Sequence, residues 1–328
     1  MQSLPTGAGA QATCGPGKRI RSRRTDMSSE TPESVAGEQP VAAVAPRRVP
    51  MALVTWAFIT LILAIVVILL ILKVARGSTT PQTPPVTPAT PAFAKALDSL
   101  PASTFNSAGA PGSQEPAPVV LSGQPLLAQA GRPVVVYLGA EFCPYCAAER
   151  WVLIAALGRF GTFSHLGATS SSNFEAFGGT ATFSFDGAVY RSRYVTFSSA
   201  EEYEEAPSVN APAGFHVLER PSSFQQGVFR RYDSQSFTSE PGVLPFVDVA
   251  NRLLVTGAGV GFSPGLLQGS SMGKVVGELS DPTSPVGQSV LAEANEVAAA
   301  ICSATGQRPG NVCSSVGVRV AALRLGMG

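Results

Sequence analysis

The sequence predicts an α/β (α+β) domain carried behind one transmembrane helix and a proline-rich stalk. Three observations predict it. Residues 52–72 read ALVTWAFITLILAIVVILLIL, with only Thr55 and Thr60 polar. A Pro/Thr run, GSTTPQTPPVTPATPA, fills 77–92. Beyond it, the unalternating strand VVVYLG (134–139) precedes an apolar helix, and two strands and a helix follow later. That is a β–α…β–β–α order with room for an insertion within 160–240.

The 328 residues hold 23 Lys+Arg against 22 Asp+Glu, a net charge of +1. Near-neutral charge excludes nucleic acid as a partner, because phosphate collection needs a strong basic field. The charge is uneven. Residues 1–76 carry nine Lys/Arg and four acids; residues 77–328 carry 14 and 18. Two histidines, His165 and His216, are too few for a His-based metal enzyme and read as surface or hydrogen-bonded residues. Five cysteines, two of them in a CxxC, make sulfur the most informative element.

In chain order, residues 1–50 read as a disordered cytoplasmic tail, rich in small residues and proline without apolar periodicity. Lys18, Arg19, Arg21, Arg23 and Arg24 form a basic cluster, either solvated or attracted to anionic lipid. Met27 is a second candidate start. Residues 51–73 are assigned to the transmembrane helix. At ~1.5 Å per residue the apolar run spans about 32 Å, a bilayer's hydrocarbon core. A cleavable signal peptide has a shorter apolar stretch, ~7–15 residues. The basic excess before the run favours a single-pass cell-membrane protein with an extracytoplasmic C-terminal domain. Residues 74–92 form a Pro/Thr-rich linker, a spacer of extended polyproline-like character.

Residues 93–328 form the folded domain. A short helix is expected at 93–100, and strands at 119–121 and 134–139. VVVYLG lacks alternation, so it reads as buried on both faces. Two strand-like runs, TFSF and YVTF, flank a turn at Asp186-Gly187. LPFVDVANRLLV (244–255) reads as two strands around a turn at Asn251-Arg252. Helices close the chain at 265–280 and 285–305.

Glu141-Phe142-Cys143-Pro144-Tyr145-Cys146 lies between the buried strand and the following helix. A helix N-terminus offers free amide N–H groups and positive dipole charge, which stabilise a thiolate. Cys143, at the exposed end, is the expected nucleophile. Cys146, one turn on, is the expected resolving thiol. Pro144 suits the first helical turn. Zinc is the alternative, but it needs two more ligands, and Cys302 with Cys313 lack the usual knuckle spacing. A structural Cys143–Cys146 bridge gains little, because so small a ring restricts few unfolded states.

Leu244-Pro245 stands directly before the strand FVDV. A proline before a strand in a closing β–β–α unit is where the thioredoxin fold keeps a cis-proline, beside the CxxC. Pro245 therefore joins Cys143 and Cys146 as a candidate catalytic residue. Phe142, Pro144, Tyr145 and Leu244 are candidate substrate contacts. The run GAEFCPYCAAERWVLIAALGRFGTF, followed by LPFVDVANR and the Cys302/Cys313 pair, resembles the thioredoxin-like family called domain of unknown function 929. The resemblance implies a thioredoxin-like fold with an insertion behind a membrane anchor. It implies no reaction. Pro-Tyr between the cysteines is the glutaredoxin dipeptide, and related CxxC proteins span roughly −270 to −120 mV, so the direction of electron flow stays open.

Cys302 and Cys313 flank SATGQRPGNV, a turn-rich loop. They read as a structural disulfide worth roughly 3 kcal/mol of loop entropy, or as a second redox pair. Gly257, Gly259 and Gly261 read as turn and strand glycines, without the Lys-Ser/Thr of a phosphate loop. Glu149 is either an exposed helix charge or a proton acceptor for Cys146. Trp151 reads as core.

These readings converge on a membrane-tethered thiol–disulfide oxidoreductase acting on cysteines of exported proteins, with an unidentified redox partner, no cofactor and no metal. Its bilayer contact is residues 52–72. The alternatives are a redox-inert binding or scaffold module at the membrane surface and a metal handler.

Overall fold

The computed structural model describes residues 59–68, 87–88 and 91–327, apart from 212–213, 239, 260 and 282. Residues 59–68 are helical, and every side chain in that stretch is exposed. The rest of the expected 51–73 helix, and the expected 1–50 tail, lie outside the described residues. Among the described residues, no helix is long and apolar enough to cross a membrane.

The elements of the domain in order are β1 (Thr87–Pro88), α1 (Pro91–Asp98), α2 (Ala102–Ala108), β2 (Val119–Val120), β3 (Ala128–Gln129) and β4 (Arg132–Gly139). Then come α3 (Pro144–Leu157), β5 (Thr162–Ser164), β6 (Gly167–Ser170), β7 (Ala181–Ser184), β8 (Val189–Arg191), β9 (Thr196–Glu201), β10 (Tyr203–Pro207) and β11 (Phe215–Val217). The chain finishes with α4 (Ser223–Tyr232), β12 (Phe246–Val249), β13 (Leu253–Thr256), α5 (Met272–Leu279), α6 (Pro285–Ala304), α7 (Gly310–Cys313) and α8 (Val316–Arg324).

The central sheet runs β2-β13-β12-β4-β9, and β3 also pairs with the start of β4. β4 and β9 are parallel, from Val134↔Thr196 to Gly139↔Glu201. The β12–β13 hairpin is antiparallel, and β12 is antiparallel to β4. A parallel pair needs a crossover, and α3 supplies its helix. β4 is covered on both faces, as VVVYLG requires. Val135 and Tyr137 join a core with α3 and α6. Val134, Val136 and Leu138 join a second core with Val228 and Tyr232 of α4.

The helix starts follow local chemistry. Ser222 and Gln225 form a reciprocal capping box on α4. Ser284 caps α6, and Pro285 occupies its first turn.

Four sequence expectations need correction. Thr87 and Pro88, assigned to the linker, pair with Ala168 and Gly167. The runs around Asp186-Gly187 are not partners. β7 pairs with β6, β8 (not predicted) pairs with β5, and the second run joins the central sheet as β9. Both of those small sheets use residues from the insertion between α3 and β9. The β12–β13 turn places Ala250 and Asn251 at positive φ, one residue earlier than expected. Asn251 suits the position because its amide bonds locally: its N–H donates to Asp248 Oδ1 at 2.6 Å and its Nδ2 to Pro125 O at 2.7 Å. Finally, the helix expected at 265–280 begins at Met272, capped by Ser271, with a single 3-10 turn at Pro264–Leu266 before it.

Candidate functional site

The chain leaves β4 at Gly139 and turns through Ala140, Glu141 and Phe142 into α3. Cys143 is the N-cap of that helix, with φ −82° and ψ 121°. Its Sγ accepts from the Cys146 N–H at 3.5 Å. A cap side chain normally offers oxygen to that amide; here sulfur takes the place. Leu244-Pro245 is cis, and Cys143 Sγ donates to Leu244 O at 3.8 Å. The structure thus brings together Cys143, Cys146 and the residue pair preceding β12.

The exposed position expected for Cys143 is not observed. Cys143 is 1 % exposed and Cys146 fully buried, and neither belongs to the disulfide that the structure holds. Phe142, Leu244, Val228, Tyr232 and Phe246 share their cluster, and Tyr203, Phe215 and Phe237 pack against it. Phe215 of β11 stacks on Phe142, with centroids 3.9 Å apart and rings 9° from parallel. The sequence reading missed this cover because β10 and β11 are contributed 60 residues downstream by an unpatterned segment. Among the candidate contacts, Phe142, Pro144, Leu244 and Pro245 are buried; only Tyr145 is half-buried, edge-on to Phe177. Burial pushes the Cys146 thiol well above its ordinary range, and its hydrogen bond with Cys143 adds to that.

Two buried polar groups lie beneath the cysteines. Arg150 and Glu201 are completely buried. Arg150 donates from Nε to Glu201 Oε1 at 2.8 Å and from Nη2 to Glu201 Oε2 at 2.7 Å, and Nη2 also reaches Ala140 O at 2.8 Å. The planar fork matches the carboxylate. It ties α3 to the end of β9 and to the turn that carries the CxxC. Burial opposes the Arg150 charge, and the facing Glu201 outweighs it. Glu141 sits beside this pair and accepts from Ser184 and Thr169. Burial raises its carboxyl above the usual range, against the pull of Arg150.

The second group overturns a reading. Glu149, taken as exposed helix charge or proton acceptor, is 0 % exposed. No other residue donates to either of its oxygens. Glu293 of α6 faces it. Burial first, then the negative charge of Glu293, hold the Glu149 carboxyl well above the usual range. Glu293, also buried, is pushed up to about 8, chiefly by burial, although it accepts from the Gly261 N–H. A Cβ on Gly261 would lie 3.1 Å from Glu293 Oε2, so the glycine permits that approach. With no outside donor on Glu149 and only the Gly261 N–H on Glu293, a proton between the two carboxyls satisfies the remaining oxygens.

A signal for both groups was in the sequence. The segment AAERWVLIAAL is apolar all round, and such a helix is buried on every side. Its polar pair, Glu149-Arg150, had nowhere exposed to go. The other expectations stand where they were placed. Trp151 is core, donating from Nε1 to Ala181 O at 3.0 Å. His165 and His216 are exposed. Gly257 sits in a turn at φ 51°. Cys302 and Cys313 form a disulfide, with Cα atoms 5.6 Å apart.

Fold and site define a class: an α/β domain with a vicinal dithiol at a helix start, above a buried ion pair and a buried carboxyl pair. The chain belongs to the family described as domain of unknown function (DUF929), whose model matches residues 118–303, more than half of it. The match runs from β2 to the end of α6, including Cys302 but not Cys313. Searches of curated proteins and of solved structures found no match.

Proposed function

We propose that the protein is a membrane-tethered thiol–disulfide oxidoreductase with a thioredoxin-like fold, acting on cysteines of exported proteins. One observation carries the reading: two cysteines spaced CxxC at the start of α3, with Cys143 Sγ against the carbonyl of Leu244. The strand order β13-β12-β4-β9, with α3 and α6 on one face and α4 on the other, supports the fold assignment. The apolar run 52–72 is the proposed anchor, and the basic excess before it favours a domain outside the cytoplasm.

The chemistry balances as two exchanges. The Cys143 thiolate attacks one sulfur of a client disulfide; a Cys143–client bond forms, the client S–S bond breaks, and the second client sulfur leaves as thiolate. Cys146, deprotonated, attacks Cys143 Sγ. A Cys143–Cys146 bond forms, and the first client sulfur leaves. Two electrons pass to the client, and two protons end on its thiols. Run backwards, the same steps oxidise a client dithiol. Neither exchange proceeds under the aromatic cover, so Tyr203 and Phe215 give way before a client sulfur reaches Cys143.

The near-complete burial of Cys143 favours a second reading, a redox-inert module that binds or scaffolds at the membrane surface. One experiment separates them. In cells, Cys146→Ser traps covalent complexes with cysteine-bearing clients through Cys143, and Cys143→Ser traps none. If neither variant traps a client, and Cys143 alkylation in the folded protein is no faster than that of an ordinary thiol of pKa about 8.5, the inert module stands and the enzyme reading falls.

A further inference from the structure

Four arginines gather at the end of the domain away from the cysteines. Arg132 opens β4, and Cys143 follows the other end of that strand. Eight residues at ~3.3 Å each put about 26 Å between the two ends. Arg191 ends β8, Arg193 lies in the next turn, and Arg308 follows α6. Two adjoining cavities, of about 740 and 450 Å3, share Arg132 and Arg193; Arg191 lines the first and Arg308 the second. No carboxylate lines either one. Among the described residues, none of the four makes a salt bridge.

The cluster runs against the local charge balance. Residues 77–328 hold 14 Lys/Arg and 18 acids, yet four of those cations meet here without an acid among them. Such a gathering costs mutual repulsion unless an anion relieves it.

The turns that present the arginines are fixed. The Ser192 hydroxyl donates to Phe160 O at 2.6 Å and accepts from the N–H groups of Tyr194 and Val195. Arg132 donates to Ser192 O. Arg193 lies over the Tyr194 ring, 5.0 Å from its centroid. Thr305 Oγ1 donates to Arg308 O at 2.7 Å. Arg191, Arg193 and Arg308 are nevertheless exposed, so the turns are held in place while the guanidinium groups stay open to solvent. Guanidinium forks match phosphate oxygens in pairs.

We infer that this arginine face binds the phosphate headgroups of an anionic bilayer. The inference rests on the tether reading, because the same chain carries the apolar run 52–72, and the 14 residues between it and β1 reach at most about 50 Å. That reach lets either end of the domain meet the membrane. The arginines decide the matter: they turn their own end to the lipid and point Cys143 away from it, toward clients in solution.

The full chain is placed in nanodiscs of phosphatidylcholine alone or mixed with phosphatidylglycerol, and amide exchange is followed at residues 191–195 and 305–308. Slower exchange there in mixed discs only, lost at high salt and in Arg191→Glu/Arg193→Glu, supports the inference. Each arginine at an anionic surface strengthens binding about fivefold, so the double variant loses more than tenfold of the exchange protection at 191–195 and 305–308 in mixed discs. Unchanged exchange elsewhere confirms that the variant is folded. Equal exchange in both discs overturns the inference, as does protection by inorganic phosphate in neutral discs with none from anionic lipid. Failure of the tether is read separately, as failure of the chain to float with neutral vesicles. In that case flotation with mixed vesicles, abolished by the double variant, still supports the arginine face, and its absence overturns it.

Discussion

Cys143 Sγ donates to the carbonyl oxygen of Leu244 at 3.8 Å, across 101 residues of sequence. Only a protonated thiol makes that bond; a thiolate meets the oxygen's lone pairs instead. The structure is therefore a protonated resting form of Cys143, its S–H turned toward the backbone carbonyl before the cis-proline.

Release from this resting form depends on the aromatic cover. Phe215→Ala removes a stacked ring worth ~0.5–1.5 kcal/mol beyond its buried area, so native-state alkylation of Cys143 accelerates roughly tenfold. Timed labelling with a small maleimide, resolved by mass spectrometry at Cys143, reads the change. An unaltered rate means that Phe215 is not the gate.

The carboxyl pair predicts a pH dependence of stability. Glu293 is raised from 4.5 to about 8 in the folded protein. A group whose folded value is raised binds its proton more tightly when folded. Stability is then highest below pH about 4.5 and declines as pH rises toward about 8, by at most ~1.4 kcal/mol per pH unit for one proton. Urea melts between these limits show the decline, and Glu293→Gln flattens it.

The same pair predicts a kinetic effect. Glu149 lies one turn beyond Cys146, and burial, then Glu293, then Cys146 whenever it ionises raise its carboxyl. A shared proton there is a ready exchange partner for the resolving thiol. Glu149→Gln keeps the shape and removes the acid, so release of a preformed Cys143 mixed disulfide slows by about 100-fold, the usual weight of general base catalysis. Stopped-flow release of a chromogenic thiol reports it. An unchanged rate makes the pair purely structural.

The Arg150–Glu201 fork predicts an asymmetric double-mutant cycle. Glu201→Gln leaves a buried guanidinium uncompensated and destabilises by ~3–5 kcal/mol. Arg150→Met/Glu201→Leu loses less than the single change, because no unpaired charge remains. Equal losses for the two variants would place the importance of the site in packing alone.

Removing Cys302–Cys313 with paired alanines lowers stability by about 3 kcal/mol, roughly 6–12 °C in Tm for a domain of this size. Calorimetry of the oxidised protein gives the shift. The alkylation rate of Cys143 stays as it was if the bridge is structural; a change ties the two sulfur sites together.

The fold was legible in the sequence wherever one residue pattern has one physical solution. VVVYLG lacks alternation and is buried on both faces. Cys143-Pro144 opens a helix because its residues suit a cap and a first turn. Leu244-Pro245 meets the CxxC. Legibility failed where partners are distant. Nothing in Phe215 says that it stacks on Phe142 from 73 residues away, and TFSF and YVTF look like a hairpin because the turn between them is a strong local signal. The charge of Glu149 and Arg150 outweighed the apolar helix around them in the reading, although the helix was the better guide. The arginine face is invisible in the sequence, since its members come from three separate stretches.

A sulfur with about one-hundredth of its surface in contact with water is also a poor target for peroxide. Oxidation beyond the sulfenic acid is irreversible for most cysteines and follows thiolate character and access. The rings of Phe142 and Phe215 thus shield the Cys143 thiol from irreversible oxidation.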